Sequence, residues 1–174
     1  MTRRRGRTPR AFPFLILILI LIPAPLLAQG PSAQAPAQGV VAGARVGIDY
    51  FSDALVLGAQ VHIQPDPWGL FDLMPNAEVS RRGGSNNWQL NADLAVMPLR
   101  GLYAGGGAAF RHTLYEEDRG LETRTGYSVF AGLRPPPERG ELNPQIELRW
   151  TFVGDFQRPR TITVGANWPL LLWR

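Results

Sequence analysis

The stretch "QIELRWTFVG", residues 145–154, alternates between apolar and polar side chains. The apolar set is Ile146, Leu148, Trp150 and Phe152, and the polar set is Gln145, Glu147, Arg149 and Thr151. Because successive side chains of a β-strand point to opposite faces, this pattern predicts a strand with one apolar and one charged face. The apolar face would pack into the core of a soluble barrel or sandwich, or it would face lipid in a membrane barrel.

The first 28 residues have the composition of a secretory signal peptide. Five arginines among the first ten residues precede the apolar run "AFPFLILILILIPAPLLA", which ends in small residues. This order predicts a signal peptide over residues 1–28, with cleavage after Ala28 or, at later A-x-A patterns, after Ala35 or Ala37. The run is short for a spanning helix and prolines interrupt it, so we do not expect an uncleaved anchor.

The net charge and the cysteine count exclude several classes of function. Removal of the predicted signal peptide leaves 13 arginines against 14 acidic residues, a formal charge of −1, so we predict no nucleic-acid partner. The chain contains no cysteine, which excludes disulfides, thiolate metal sites and cysteine nucleophiles. Residues 29–39, "QGPSAQAPAQG", are small and uncharged, and they are predicted to be a flexible leader.

Residues 40–174 contain eight strand patterns separated by turn residues. The predicted strands are 40–50, 54–63, 76–82, 88–97, 102–115, 124–134, 145–154 and 161–168. Eight antiparallel strands on mostly short connections predict an all-β up-and-down barrel, which leaves no open sheet edge. A soluble sandwich fits the strand count but usually needs longer crossovers between its sheets.

The two faces of these strands differ in bulk and charge, and the difference favours the apolar face as the outer one. The interior of an eight-stranded barrel is just filled by side chains, which suits the face that is rich in glycine and in charges of both signs. Aromatic residues near strand ends, Tyr103 among them, are typical of the belts at the two membrane interfaces. Five charged residues are predicted to face inward: Arg45, Glu78, Asp93, Glu147 and Arg149. They predict a paired network that closes the lumen, with an ion- or water-conducting lumen as the alternative.

The chain resembles the small eight-stranded outer-membrane barrels of the OmpA/OmpX-like type. The resemblance rests on "GLYAGGGAAFRH" after a "PLRG" turn, on "NPQIELRWTFVGD" and on the closing strand "TITVGANWPLLLW". It implies location in the outer membrane of a Gram-negative-type cell envelope, with the N-terminus in the periplasm. The implied partners are outer-membrane lipids, the barrel insertion machinery and periplasmic chaperones, and the implied state is a porin-like monomer.

We predict no catalytic, cofactor-binding or metal-binding residue, and a structural or surface-interaction role. His62 falls on the lumen face, and His112 falls on the outer face without the His–Ser spacing of lipid A deacylases. The acidic run Glu116, Glu117 and Asp118 is more typical of a solvated loop than of a calcium site. A lipid A-modifying barrel enzyme and a soluble lipocalin-like carrier of an apolar ligand remain the alternatives.

Overall fold

The computed structural model describes residues 38–65, 70–82, 85–99, 101–115, 121–135, 142–154 and 158–173. They form eight strands: β1 (Gln38–Asp49), β2 (Ala54–Gln64), β3 (Phe71–Arg82), β4 (Ser85–Leu99), β5 (Leu102–Tyr115), β6 (Leu121–Leu133), β7 (Asn143–Val153) and β8 (Arg160–Trp173). Each strand pairs antiparallel with the next, and β1 pairs with β8, so the sheet closes into a barrel. The predicted all-β, eight-stranded up-and-down barrel is confirmed.

The barrel has two ends, which differ in the connections they carry. At the terminal end β1 begins and β8 ends, and Gln38 pairs with Trp173. The terminal end also carries the connections β2–β3, β4–β5 and β6–β7. The distal end carries the connections β1–β2, β3–β4, β5–β6 and β7–β8. Because the chain enters and leaves the barrel at the same end, the connection that follows each odd-numbered strand lies at the opposite end.

β3 begins at Phe71, five residues before the start predicted from the sequence. Pro75 and Asp72 were expected in a loop because proline cannot donate to the ladder and aspartate is rare in strands. The strand tolerates the proline because the β2–β3 register passes from Gln60–Asn76 to Ile63–Leu73 without a pair at Pro75. The backbone N–H that proline lacks is therefore not needed on the β2 side of the strand, where the ladder is interrupted. On the β4 side, Pro75 still pairs with Ala92.

β8 continues to Trp173, although Pro169 was expected to end it near residue 168. The register with β1 passes from Val41–Pro169 to Val40–Leu171, so Leu170 is an extra residue without a partner. Such a β-bulge lets a strand continue past a residue that cannot complete the ladder. β1 begins at Gln38, two residues before its predicted start. The start of β2, the end of β3 and both ends of β5 are as predicted, and the remaining boundaries differ by one to three residues.

The predicted signal peptide and most of the predicted leader lie outside the described residues. Within the described part of the chain, no helix is long and apolar enough to cross a membrane.

Candidate functional site: a paired lumen inside an apolar outer wall

The lumen is lined by polar side chains from all eight strands, and the outer wall is apolar. In the stretch 145–154, Gln145, Glu147 and Arg149 are buried in the lumen, whereas Leu148 faces outward and is 40% exposed. The strand faces therefore have the orientation predicted for a membrane barrel, the inverse of the arrangement in a soluble barrel. Apolar side chains in the lumen include one cluster of Met74, Ala95, Tyr103 and Phe130 with Met97 beside it. Val41, Val56 and Val153 are also buried on the lumen face.

The five charged residues predicted to face inward form one central charge cluster. Arg45 lies between two carboxylates, 2.6 Å from Glu78 and 3.2 Å from Glu147. Arg149 also lies between two, 2.9 Å from Glu147 and 2.7 Å from Asp93. Buried charges are tolerated only when they are paired and hydrogen-bonded, and here every member of the cluster has an opposite charge within salt-bridge distance.

The central charge cluster crosses the lumen. Arg149 on β7 reaches Asp93 on β4, a strand separated from β7 by β5 and β6. Ser128 of β6 donates to Asp93 at 3.0 Å, and the Arg149 guanidinium lies 4.6 Å from the centre of the Phe130 ring. The side chains of opposite walls therefore meet at the middle of the barrel.

A network of side-chain amides surrounds the cluster. Asn76 accepts from Arg45 and donates to Asp93 at 2.7 Å, so it connects the two arginine groups. Gln60 donates to Gln145 at 2.8 Å and to Asn167 at 2.7 Å, which joins β2, β7 and β8. An amide has both donors and acceptors, so it can satisfy a carboxylate and a guanidinium at once.

A second charged group fills the terminal end of the lumen. Asp72 Oδ2 lies 2.8 Å from His62 Nδ1 and 2.7 Å from Arg134 Nη2, and all three side chains are buried. Asp72 is on β3 and Arg134 follows β6, so this pair also crosses the lumen. Tyr103 connects the group to the central charge cluster, because its hydroxyl donates to Glu147 at 3.0 Å and its ring lies 5.8 Å from the Arg134 guanidinium.

The sequence analysis missed two members of these networks and misplaced a third. Asp72 fell in a predicted loop. Asn76 was the first residue of the predicted third strand but was not identified as a lumen residue. Tyr103 was expected in an interfacial belt, but it is 1% exposed and lies in the lumen. The alternation contained the signal: Tyr103 shares its parity with the inward residues of β5, of which Gly105 is the next.

Inward glycines provide the space that the large lumen side chains need. A Cβ atom added at Gly132 would lie 2.4 Å from the Tyr103 ring, and one at Gly105 would lie 2.8 Å from Phe130. Tyr103 pairs with Gly132 in the β5–β6 register, and Gly105 pairs with Phe130. At these two positions an inward glycine is thus matched to a bulky residue on the neighbouring strand, as close packing of a narrow interior requires.

The outer wall carries apolar side chains along all eight strands. Its large exposed members include Leu55 and Leu57 on β2, Leu90 and Leu94 on β4, and Val129 and Leu133 on β6. Aromatic contacts lie toward the distal end, where Trp88 packs on Phe110 with ring centres 5.6 Å apart and Tyr127 stacks on Phe152 at 4.9 Å. Exposed large patches of this kind mark contact with another apolar phase or partner.

The two histidines lie where the sequence predicted. His62 faces the lumen, and His112 lies on the outer wall, where it stacks on Trp88 at 4.7 Å and lies 2.9 Å from the Thr123 hydroxyl. Ser128 donates to Asp93 of the central charge cluster, and Ser52 donates to Asp49 at 2.6 Å in the β1–β2 turn. The acidic run at residues 116–118 lies outside the described residues.

A recess lies at the distal end of the lumen. Asp49, Ser80, Asn87, Arg111 and Thr161 contribute to its polar lining. Glu78 also lines it, and the carboxylate of Glu78 is paired with Arg45. The recess therefore extends only as far as the central charge cluster.

No protein-family profile matches the chain, and no curated protein is similar to it in sequence. Its fold is similar to that of the N-terminal β-barrel domain of Pseudomonas aeruginosa OprF, with a TM-score of 0.56, 17% identity, and 77% of this chain and 99% of that domain covered. A de novo designed transmembrane β-barrel aligns with a TM-score of 0.49, 11% identity, and 79% and 98% coverage. The predicted resemblance is confirmed at the level of fold: the chain is an eight-stranded barrel of the outer-membrane type.

Proposed function

We propose that the protein is an integral outer-membrane β-barrel with a structural or surface-interaction role and without enzymatic activity. In this proposal it resides in the outer membrane of a Gram-negative-type cell as a monomer, and its apolar outer wall contacts the lipids. Periplasmic chaperones and the barrel insertion machinery act on it before it reaches that state.

The observation that carries the proposal is the apolar outer wall around a polar lumen. In water, side chains such as Leu57, Leu90 and Val129 would remain exposed, although transfer of each side chain out of water lowers the free energy. In lipid the same wall is solvated by hydrocarbon, and the closed ladder satisfies the backbone groups of the strands without water.

The height of the apolar wall supports this environment. From Leu55 to Ile63 the outward residues of β2 are all apolar. These eight residue steps extend about 27 Å along the strand, and a tilt of about 40° reduces that to roughly 20 Å. The apolar band of outer-membrane barrels is about 25 Å tall.

The lumen contacts favour a closed barrel over a conducting one. Ion pairs cross the lumen at two levels, Asp72–Arg134 near the terminal end and Asp93–Arg149 at the middle. At the distal side Gln89 of β4 donates to Thr151 of β7 at 3.4 Å. An ion would have to separate buried pairs whose partners have no alternative solvation, at a cost of several kcal/mol per ion.

The observed contacts do not favour either alternative. A lipocalin-like carrier needs an apolar interior, whereas this lumen is polar along most of its length. A lipid A-modifying enzyme needs an activated nucleophile near the rim, and the described contacts of His112 are an indole ring and a threonine hydroxyl.

Fractionation and gel mobility test the proposal. We expect the protein in the outer-membrane fraction, extracted by detergent and not by salt or carbonate. Because a closed barrel stays compact until it is heated, the unboiled protein should migrate differently from the boiled protein in an SDS gel. A folded monomer in the soluble periplasmic fraction would contradict the proposal.

A further inference from the structure

The outer wall is chemically asymmetric between the two ends. Among the outward-facing positions of the described strands, only Arg81 and Arg160 carry a formal charge, and both lie at the distal end. At the terminal end the outer wall stays apolar up to the connections, with Phe71, Leu99, Leu102, Leu133 and Leu170 exposed. The two ends of the wall are therefore built for different surroundings.

Each of the two arginines lies beside an outward tryptophan. Arg160 is the cross-strand partner of Trp150 in the β7–β8 register. Arg81 lies two residues beyond Val79, the cross-strand partner of Trp88. Tryptophan is enriched at the level of lipid headgroups, so the proposed membrane location would place the arginines at about the depth of the headgroup phosphates.

We infer that Arg81, Arg160 and their neighbouring tryptophans form a cationic rim that binds the phosphate groups of a phosphorylated glycolipid in the outer leaflet. The inference rests on the proposed membrane location and adds the lipid partner to it. Guanidinium groups bind phosphate through paired, charge-assisted hydrogen bonds. Arg81 also has an interaction within the chain, and its five N–H donors allow it to bind phosphate in addition.

The spacing of the arginines indicates that they bind separate phosphates. Arg81 is on β3 and Arg160 on β8, and β2 and β1 lie between them. Three strand spacings correspond to roughly 14 Å along the barrel wall. A headgroup with two phosphates, or two adjacent lipids, can therefore engage both.

Lipid binding can be measured on the full protein extracted from membranes into detergent. The probes are bisphosphorylated lipid A and the same lipid after removal of both phosphates, each titrated in mixed micelles and followed by native mass spectrometry. We expect the bisphosphorylated lipid to bind more tightly. Substitution of either arginine by glutamine should weaken that binding about fivefold, and the double variant should weaken it about thirtyfold.

The matched control keeps the charge. The double variant Arg81→Lys, Arg160→Lys should bind the bisphosphorylated lipid within about threefold of wild type, since lysine binds phosphate as a point charge. Equal binding of both lipids by the wild type, or a double glutamine variant that binds as the wild type does, would overturn the inference. If either result is obtained with protein whose gel mobility still depends on heating, only the lipid-binding inference fails and the proposed membrane location is retained. If the wild-type protein itself shows no heat-dependent gel mobility, the proposed membrane location and the lipid-binding inference are both refuted.

A labelling experiment tests which leaflet the rim meets. The chain has no cysteine, so Phe51→Cys in the distal β1–β2 turn and Leu142→Cys at the terminal end provide single reporters at positions that are each 61% exposed. On intact cells a membrane-impermeant maleimide should label the first variant and not the second, with both labelled after lysis. The opposite pattern would place the rim in the inner leaflet and overturn the inference.

Discussion

The lumen and the outer wall are made from alternate residues of the same strands, and their contacts differ in specificity. Arg149 contacts Glu147, Asp93, Ser128 and the Phe130 ring, whereas its neighbour Leu148 faces outward and is 40% exposed. A lumen position therefore requires one side chain with particular partners on other strands. In the proposed membrane location, an outer position requires only an apolar side chain, because lipid adapts to its shape. The difference shows that register is specified mainly from the inside.

The largest effect should come from removing the arginine at the middle of the lumen. Arg149→Met fills a similar length but leaves Asp93 and Glu147 without their shared cation. Breaking a buried pair from one side costs about 3–5 kcal/mol, so the free energy of unfolding in a urea titration should fall by that amount.

Arg160→Met is the matched control for that experiment. It removes an arginine from the outer wall, where the side chain is exposed, and surface substitutions usually change stability by less than about 0.5 kcal/mol. Equal losses for the two variants would show that the lumen and the outer wall do not differ in the proposed way.

The next effect concerns the outer wall itself. In the proposed membrane location, Leu148→Arg places a charge among lipid chains and should lower the free energy of unfolding in lipid vesicles. Because Leu148 lies only two residues from Trp150, we expect a loss of about 1–2 kcal/mol, below the value for a midplane position. Leu148→Ile keeps the apolar contact and should stay close to wild type. A neutral Leu148→Arg variant would mean that this face of β7 is not in the hydrocarbon.

A comparable effect should follow from filling the space beside Tyr103. Gly132→Ala adds a methyl group that would lie 2.4 Å from the Tyr103 ring and 2.5 Å from the Ile146 carbonyl oxygen. Overpacking of this kind costs about 1–3 kcal/mol, measurable in the same urea titration.

The outer-wall position Gly106→Ala provides the contrast for Gly132→Ala. Gly106 lies between the two inward glycines of β5 and points outward, although its added Cβ would lie 2.8 Å from the Ser128 carbonyl. This single backbone contact is longer than the 2.4 Å and 2.5 Å contacts at Gly132, and no bulky side chain is displaced, so the loss should be smaller. A Gly106→Ala loss larger than that of Gly132→Ala would argue against side-chain crowding as the cause.

The sequence predicted the membership of the central charge cluster but not its partnerships. The period of two placed Arg45, Glu78 and Asp93 on inward faces, because alternation is a local property of each strand. Which carboxylate meets which arginine depends on the register of strands up to 102 residues apart, as in the Arg45–Glu147 pair. That information is not contained in any local pattern.

The predicted strand bounds and side-chain faces were wrong where a proline, or closeness to a strand end, was given more weight than the alternation of side chains. Pro75 concealed the first half of β3, and Asp72 was missed with it. Pro169 shortened the predicted β8, since the bulge at Leu170 could be seen only from the partner strand. Tyr103 was assigned by its closeness to a strand end, although its parity placed it in the lumen. The signal peptide stays a prediction.

The pairing of β1 with β8 determines when the protein can acquire its structure during synthesis. The first strand has no partner on one side until the last strand has been made, because Gln38 pairs with Trp173 and Asp49 with Thr161. Until then the partly synthesised sheet has two unpaired edge strands, which can pair with other chains and aggregate. Its lumen arginines also lack the carboxylate partners that come later in the sequence. Vectorial, domain-by-domain folding is thus unavailable to this chain. The barrel can close only after the last strand has been made, so a prematurely terminated product should stay unfolded and be degraded by proteases.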